Sequence, residues 1–135
     1  MARDIAAICA AVGVVGLSFG ALASAAGLSI WTAVALSLLV LAGGSQFLFV
    51  AVIAAGASPW AGVVGGLLIN ARHLPFGLAM SDIVGRGWVS KVAGAHLLID
   101  EVVAYSRVQK TIGDARTAYW ACGIGLDVVW NIGTV

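Results

Sequence analysis

The apolar residues of this chain form long segments that are separated by short polar stretches. The first segment runs from Ile5 to about Ala26, the length of one helix across a hydrocarbon core of about 30 Å. Because this run is longer than the apolar part of a signal peptide, we expect a retained membrane span. Gly16, Gly20 and Ser24 recur every four residues, which is typical of a close-packed helix face, although a helix rich in glycine and alanine also shows this spacing by chance.

The second segment, from Leu28 to Ala57, carries no charge. A straight helix of that length would be about 45 Å long, which exceeds the hydrocarbon core, so the segment must tilt, protrude or break. Gly43 and Gly44 are poor helix formers and stand next to the amide of Gln46. We therefore predict two half-helices that meet near these residues. The alternative is a single tilted helix with a glycine contact face.

The third segment, from Pro59 to Met80, carries polar side chains and a proline in its second half. Helical spacing puts Asn70 and His73 on one face, whereas Arg72 points away from them and needs an acidic partner. Pro75 lacks a backbone N–H and clashes with the preceding turn, so we expect the helix to kink or unwind between residues 71 and 75. The alternative is a helix end that Arg72 and His73 anchor at the membrane surface.

The fourth segment, from Val92 to Ser106, lies between two polar loops and is short for a complete span. We expect it to be re-entrant or to reach only half-way, which is tolerated where protein or water covers the backbone. If it enters and returns, the positive-inside rule places all the flanking basic residues in the cytoplasm; if it spans, they divide between the two sides. These residues are Arg86, Lys91, Arg107, Lys110 and Arg116. No internal repeat is evident along the chain.

Ionisable side chains inside apolar segments are costly in a membrane and therefore indicate functional sites. In the fourth segment His96 and Asp100 are four residues apart, so we expect them to share a helix face, with Glu101 beside them. Such a set of imidazole and carboxylate groups can relay protons. The alternative is a structural ion pair between one of the carboxylates and Arg72.

The fifth segment, from Thr117 to Val135, contains Asp127 and Asn131, which are again four residues apart. The chain stops within this apolar segment without a cap, a turn or a charged tail. We therefore expect the chain to be incomplete at its C-terminus.

The composition favours a membrane protein over a soluble domain. Hydrophobic residues make up 61% of the chain and charged residues 10%, whereas soluble domains carry about 25% charged residues. The mean hydropathy is +1.06, and the net charge of +1 argues against a nucleic-acid surface. Cys9 and Cys122 lie in apolar runs without the spacing of a metal or disulfide motif. We predict an all-α, polytopic integral membrane protein with about four to six apolar helical segments, some broken or re-entrant, in a single transmembrane domain over residues 1–135.

Interrupted apolar segments are the sequence feature that best indicates a transporter site. The N-terminus of a half-helix offers free N–H groups to an amino-acid carboxylate, and the ammonium group then fits a side-chain carboxylate such as Asp100 or Glu101. No cofactor or metal site is predicted. The candidate residues of a substrate or proton pathway are Gln46, Asn70, Arg72, His73, Asp100, Glu101 and Asp127, and the candidate helix breaks are Gly43, Gly44 and Pro75.

Four motifs are distinctive: GLSFGALASAAGLS at 16–29, LAGGSQF at 41–47, LINARHLPFGLAM at 68–80 and LLIDEVVAYS at 97–106. In order and spacing they resemble the AzlC family, the large subunits of bacterial branched-chain amino acid exporters. The resemblance covers nearly the whole chain. The positions that match the family's polar motifs are Gln46, Asn70, Arg72, His73, Asp100 and Glu101.

The resemblance implies a multi-pass permease of the bacterial inner membrane that lies in the lipid bilayer and works with a small AzlD-type membrane subunit. It implies export of branched-chain and related apolar amino acids, driven by the proton gradient, and neither an enzyme activity nor a nucleic-acid partner. Family members continue for several further spans beyond the position that matches Val135. We therefore expect this chain to hold the first part of the family's fold.

Three other functions fit parts of the sequence. A non-transporting or truncated assembly subunit would suit an incomplete chain. A water-channel-like pore is suggested by Asn-Ala-Arg at 70–72, which is close to the asparagine-proline-alanine-arginine run of water channels but lacks its proline and a second copy. An intramembrane metalloenzyme would use His73, His96 and Asp100, but the chain has no H-E-x-x-H run.

Overall fold

The computed structural model describes residues 1–135 and consists of helices joined by short turns, with no strand. The helices are α1 (Ala2–Ala25), α2 (Ile30–Leu39), α3 (Gly43–Ala54), α4 (Pro59–Asn70), α5 (His73–Ala79), α6 (Ser81–Val84), α7 (Trp88–His96), α8 (Asp100–Arg107) and α9 (Ile112–Thr134). The all-α prediction is confirmed. One helix, α1, is long and apolar enough to cross a membrane, and α2 and α3 are shorter apolar helices.

The helices α1 and α9 pack side by side and run parallel. A side-chain carbon added to Gly16 would lie 2.9 Å from the carbonyl oxygen of Trp130, and one added to Gly20 would meet the backbone of Thr134. Because the contacts advance along both helices together, both helices start at the same end of the molecule. The predicted small-residue face is confirmed for the two glycines. Ser24 is exposed, since the last helical residue of α9 already lies opposite Gly20.

The helices α2 and α3 form a hairpin whose non-helical tip, Val40–Ala42, lies in the middle of the molecule. The side chain of Gln46 near the start of α3 reaches the carbonyl oxygen of Leu36 in the last turns of α2, so the two helices approach each other near the tip. The end of α3 packs against the end of α1, where Leu22 and Ala54 line one cavity. The helix α3 therefore returns to the end of the molecule at which α2 starts.

The predicted break in the second segment is confirmed, and the alternative of a single tilted helix is wrong. The break lies at residues 40–42, directly before the two glycines, and Gly43 and Gly44 themselves form the first turn of α3. The Trp130 ring lies against Gly43, and the Arg72 guanidinium lies against Gly44. The two glycines therefore allow other side chains to approach the start of this half-helix closely.

The helices α4 and α5 cross the molecule from end to end with an interruption half-way. α4 packs antiparallel to α3, with Gly62 against Phe49 and Gly66 against Ser45. A turn at residues 71–72 then separates α4 from α5. After α5, the backbone of α6 accepts a hydrogen bond from the first turns of α9, so this crossing finishes where α9 begins.

The predicted interruption between residues 71 and 75 is confirmed, but the expected role of Pro75 was wrong. Pro75 lies in the first turn of α5, where a backbone N–H has no partner inside the helix. Its missing N–H therefore leaves no hydrogen bond unmade, and Leu74 before it stays helical. The proline suits the start of a new half-helix and does not bend a continuous one.

The helices α7 and α8 form a second hairpin, whose tip is Leu97–Ile99. α7 enters the molecule along α9, and the hydroxyl of Tyr119 donates a hydrogen bond to the carbonyl oxygen of Gly94 at 2.6 Å. α8 returns towards the start of α1, where the hydroxyl of Tyr105 donates to the carbonyl oxygen of Met1 at 3.2 Å. The fourth segment thus reverses its direction inside the molecule, and its re-entrance into the membrane stays a prediction.

Three details of this region differ from the prediction. The stretch 81–91, expected to be a polar loop, contains α6 and the start of α7. His96 ends α7 and Asp100 begins α8, so the hairpin tip separates them and they share no helix face. A four-residue spacing indicates a shared face only within one uninterrupted helix. Finally, α9 begins at Ile112, ahead of the predicted start at Thr117.

The chain contains an inverted structural repeat that the sequence analysis missed. A crossing followed by a hairpin occurs twice, first as α1 with α2–α3 and then as α4–α5 with α7–α8. The Leu-x-Phe-Gly runs at 17–20 and 74–77 are the same number of residues apart as the tips at 40–42 and 97–99. The units have opposite directions, because α1 leaves the end of the molecule that α4–α5 approaches. Very few identical side chains recur, so the sequence pattern alone did not indicate the repeat.

Except for Arg72, the lysine and arginine residues lie at one end of the molecule, which we call the basic end. Arg107 forms an ion pair with Asp82 at 3.1 Å, and Arg116 donates a hydrogen bond to the carbonyl oxygen of Ile83 at 3.0 Å. This end also holds the starts of α1 and α9 and the open end of the α7–α8 hairpin. Its basic residues are Arg3, Arg86, Lys91, Arg107, Lys110 and Arg116.

Candidate functional site

The two hairpin tips and the break between α4 and α5 meet in the middle of the molecule. A cavity of about 400 Å³ lies between them, and we call it the tip cavity; it is lined by both tips together with Asn70, His73 and His96. A second cavity of about 200 Å³ lies on the side of the tips that faces α1 and α9, and we call it the aromatic cavity. The three interruptions thus bring together polar side chains that are far apart in the sequence.

An ion pair lies at one end of the aromatic cavity. Nη1 of Arg72 is 2.7 Å from Oδ2 of Asp100, which confirms the prediction that Arg72 has an acidic partner and identifies Asp100 as that partner. Asp100 is the first residue of α8, where the free N–H groups of the helix favour a carboxylate. The guanidinium also lies over Gly44 at the start of α3. Glu101 lines the same cavity without an ion-pair partner.

The aromatic rings of Phe47 and Trp130 form part of the apolar wall of this cavity. The ring of Phe19, outside the lining, stacks on that of Trp130 with centroids 5.8 Å apart, and the ring of Phe47 meets both edge-on at 5.9 and 6.3 Å. Trp130 is 5% exposed, and its buried Nε1 has no hydrogen-bond partner. Sequence reasoning missed Phe47 and Trp130, because an aromatic residue in an apolar segment looks the same whether it packs in the interior or lines a site.

Gln46 stabilises the first hairpin. Its side chain is almost completely buried, and Nε2 donates to the carbonyl oxygens of Leu36 at 2.7 Å and Val40 at 3.2 Å. These carbonyls belong to the end of α2, where a helix has no internal donors left. Gln46 also lines a separate cavity of about 150 Å³ together with Asn70, and its buried Oε1 has no hydrogen-bond partner. The structure therefore shows it as a support of the hairpin, and its place in the pathway stays a prediction.

Asn70 and His73 both line the tip cavity, as their predicted common face requires. Nδ1 of His73 lies 2.9 Å from the backbone oxygen of Asn70, so the imidazole closes the turn between α4 and α5. Oδ1 of Asn70 is buried and has no partner. The amide group of Asn70 is therefore available to a polar group that enters from the cavity.

Asp127 lies half-way along α9 and contacts two side chains. Nδ2 of Asn131 donates to its Oδ1 at 3.1 Å and to its backbone oxygen at 2.8 Å, which confirms the pairing expected from the four-residue spacing. Nε2 of His96 lies 3.9 Å from the same Oδ1. The partner of His96 is therefore Asp127 on α9 and not Asp100, which pairs with Arg72.

No group of three or more His, Cys, Asp or Glu side chains comes close enough together to hold a metal ion. His73, His96 and Asp100, which the metalloenzyme hypothesis requires together, have separate partners. The geometry therefore gives that hypothesis no support.

Interrupted helices that meet at charged groups inside an apolar chain are typical of one class of protein, the membrane transport proteins. The comparison with known proteins agrees with this class. The model of the AzlC protein family matches residues 7–135, and the chain belongs to the AzlC family, whose members are membrane transport proteins rather than enzymes. The family resemblance seen in the sequence is thus confirmed.

The chain is also similar to the inner membrane protein YgaZ of Escherichia coli (strain K12). The two are 33% identical over 126 residues, an alignment that covers 90% of this chain and 51% of YgaZ. The chain thus spans about half the length of this curated relative. No solved structure matches the chain.

Proposed function

We propose that this chain is part of a multi-pass secondary transporter of the bacterial inner membrane that exports branched-chain and other apolar amino acids. The proton gradient drives export, and a small AzlD-type membrane subunit completes the transporter. The observation that carries the proposal is the aromatic cavity, which combines the Arg72–Asp100 ion pair with an apolar wall at the point where the half-helices meet. Residues 1–135 form one transmembrane domain of this transporter.

The two charges of the ion pair match the two charges of an amino acid. When the substrate enters, its carboxylate replaces Asp100 as the partner of Arg72, and the free N–H groups at the start of α3 lie beside that position. The ammonium group of the substrate pairs with the carboxylate of Asp100, and Glu101 provides a second carboxylate in the same cavity. An aliphatic side chain then packs against Phe47 and Trp130, so apolar amino acids are favoured over polar ones.

The inverted hairpins supply two barriers on opposite sides of this site. The tip of α2–α3 closes the site towards one end of the molecule, and the tip of α7–α8 closes it towards the basic end. In alternating access, opening one hairpin while the other stays closed exposes the site to one side of the membrane at a time. Opposed half-helices also occur in channels, which is the second candidate function, but a charged pair between the tips favours a carrier that binds its substrate.

The positive-inside rule places the basic end in the cytoplasm. In a variant with Cys9 and Cys122 replaced by alanine, single cysteines at Ala25 and Ala57 are expected to react with an impermeant maleimide on intact spheroplasts. A cysteine at Lys110 is expected to react only after the membrane is opened. If segment 28–57 crossed the membrane, the cysteines at positions 25 and 57 would react from opposite sides, which would contradict the hairpin.

Efflux from peptide-fed cells tests the proposed function. Cells that express the chain with its small subunit, and cells that express the chain alone, are loaded with a leucine-containing dipeptide, and external leucine is measured with and without an uncoupler. We expect leucine to leave against its gradient when both subunits are present and to stop doing so when the uncoupler is added. Leucine efflux that only follows its gradient and is unchanged by the uncoupler would favour the channel. The absence of efflux in both strains would overturn the proposal.

A further inference from the structure

The His96–Asp127 contact is separate from the ion pair that binds the amino acid in the proposed function. Nε2 of His96 lies 3.9 Å from Oδ1 of Asp127, which is too far for a hydrogen bond. That Oδ1 instead accepts a hydrogen bond from Asn131 at 3.1 Å. The two groups therefore attract each other strongly only when the imidazole carries a proton and its positive charge.

Both groups lie at the depth of the second hairpin tip and can reach water. Leu97, next to His96, packs against Gly123 on α9, one turn before Asp127. The side chains of His96 and Asp127 are 37% and 30% exposed, and His96 lines the tip cavity of about 400 Å³. Asn70, His73 and His96 add polar groups to the mostly apolar lining of this cavity, which has room for water that would give a proton a path to the imidazole. Ionisable groups at such depth are rare in membranes and mark ion or proton pathways.

Few charged groups surround this contact. His73 on α5 faces the same cavity, and its Nδ1 lies 2.9 Å from the backbone oxygen of Asn70. Arg72 and Asp100 at the tip neutralise each other, and Glu101 lies in the aromatic cavity. With a proton on the imidazole, His96 and Asp127 together are neutral, and without it they carry one negative charge, so one proton changes the net charge of the contact.

We infer that His96 and Asp127 form the proton-binding site that couples the gradient to export, an inference that rests on the proposed function. His96 belongs to a hairpin that opens and closes, whereas Asp127 belongs to α9, which α1 holds by close glycine contacts. Closure of the hairpin brings the imidazole to the carboxylate and stabilises the bound proton. Opening separates the two groups and releases the proton to the other side. In each cycle one N–H bond of the imidazole forms and breaks, and one proton moves across.

Transport assays on the reconstituted chain and its small subunit separate coupling from substrate binding. For His96→Gln and Asp127→Asn we expect leucine exchange without a gradient to stay within about twofold of the wild type, and leucine movement driven by an imposed pH gradient to fall at least about tenfold. Asp114→Asn is the matched control, because it removes the same charge from α9 at the exposed basic end and should change neither rate. Transport driven by the pH gradient that persists in both variants would overturn the inference, and so would a loss of exchange as large as the loss of driven transport. Wild-type protein without any leucine exchange would overturn the proposed function instead.

Discussion

Replacing Arg72 with glutamine is expected to lower leucine efflux at least about tenfold, because the variant removes the proposed partner of the substrate carboxylate and leaves Asp100 without its cation. In the wild type the guanidinium contacts Asp100 at 2.7 Å and lies over the start of α3. Arg72 is the only arginine or lysine in the middle of the molecule. Efflux per molecule of membrane-inserted protein, measured from dipeptide-loaded cells, tests this expectation.

Arg107→Gln is the matched control for this experiment. It also removes an arginine from an ion pair, since Arg107 lies 3.1 Å from Asp82 at the basic end. The side chains are 43% and 54% exposed in this pair and 40% and 45% exposed in the Arg72–Asp100 pair, so the two variants differ mainly in the place of the pair. Exposed ion pairs contribute only about 0–1 kcal/mol to stability, so efflux should stay within about twofold of the wild type. Equal losses in Arg72→Gln and Arg107→Gln would mean that any ion pair between helices is needed, and would remove Arg72 from the proposed site.

The sequence predicted where the apolar segments are interrupted, because local chemistry decides this. Gly43 and Gly44 lower helix propensity, and Pro75 can stand only where a backbone N–H is not needed. The actual breaks lie within a few residues of these positions. Local signals mark the start of the new half-helix better than they mark the end of the old one.

The direction in which the chain continues after each break was less predictable. Whether α3 crosses the molecule or turns back depends on long-range contacts, such as the hydrogen bond from Gln46 to Leu36 and the packing of Gly62 against Phe49. None of these contacts has a signature in the sequence around the break. The short fourth segment was predictable as a hairpin only because its length did not allow a span.

The candidate site was predictable in part. The need of Arg72 for a carboxylate follows from the cost of an isolated charge in an apolar segment, and Asp100 satisfies it. His96 was assigned to the wrong helix face, because the tip at Leu97–Ile99 interrupts the periodicity. The support that Gln46 gives to the end of α2 was not predictable either, since a buried amide in an apolar segment can cap a helix end as well as bind a substrate.

The close parallel contact of α1 with α9 gives the prediction with the largest expected effect on folding. Gly16→Ala would place a methyl group 2.9 Å from the carbonyl oxygen of Trp130, and Gly20→Ala would place one against the backbone of Thr134. Backbone atoms on both sides cannot rotate away, so the helices must separate, and overpacking of this kind costs about 1–3 kcal/mol. We expect each variant to unfold at a lower temperature than the wild type in detergent. Size-exclusion chromatography after heating measures the fraction of protein that stays folded.

Gly13→Ala distinguishes this steric effect from helix propensity. The nearest neighbour of the added carbon is Cβ of Val129 at 3.7 Å, an ordinary van der Waals contact. Because alanine is favoured over glycine within a helix by about 1 kcal/mol, this variant should be as stable as the wild type or more stable. The same substitution on one helix is therefore expected to have opposite signs at positions 13 and 20. If all three variants were stabilised alike, α1 and α9 would not be in backbone contact. The helix packing that places Asp127 and Trp130 beside the hairpin tips would then have to be different.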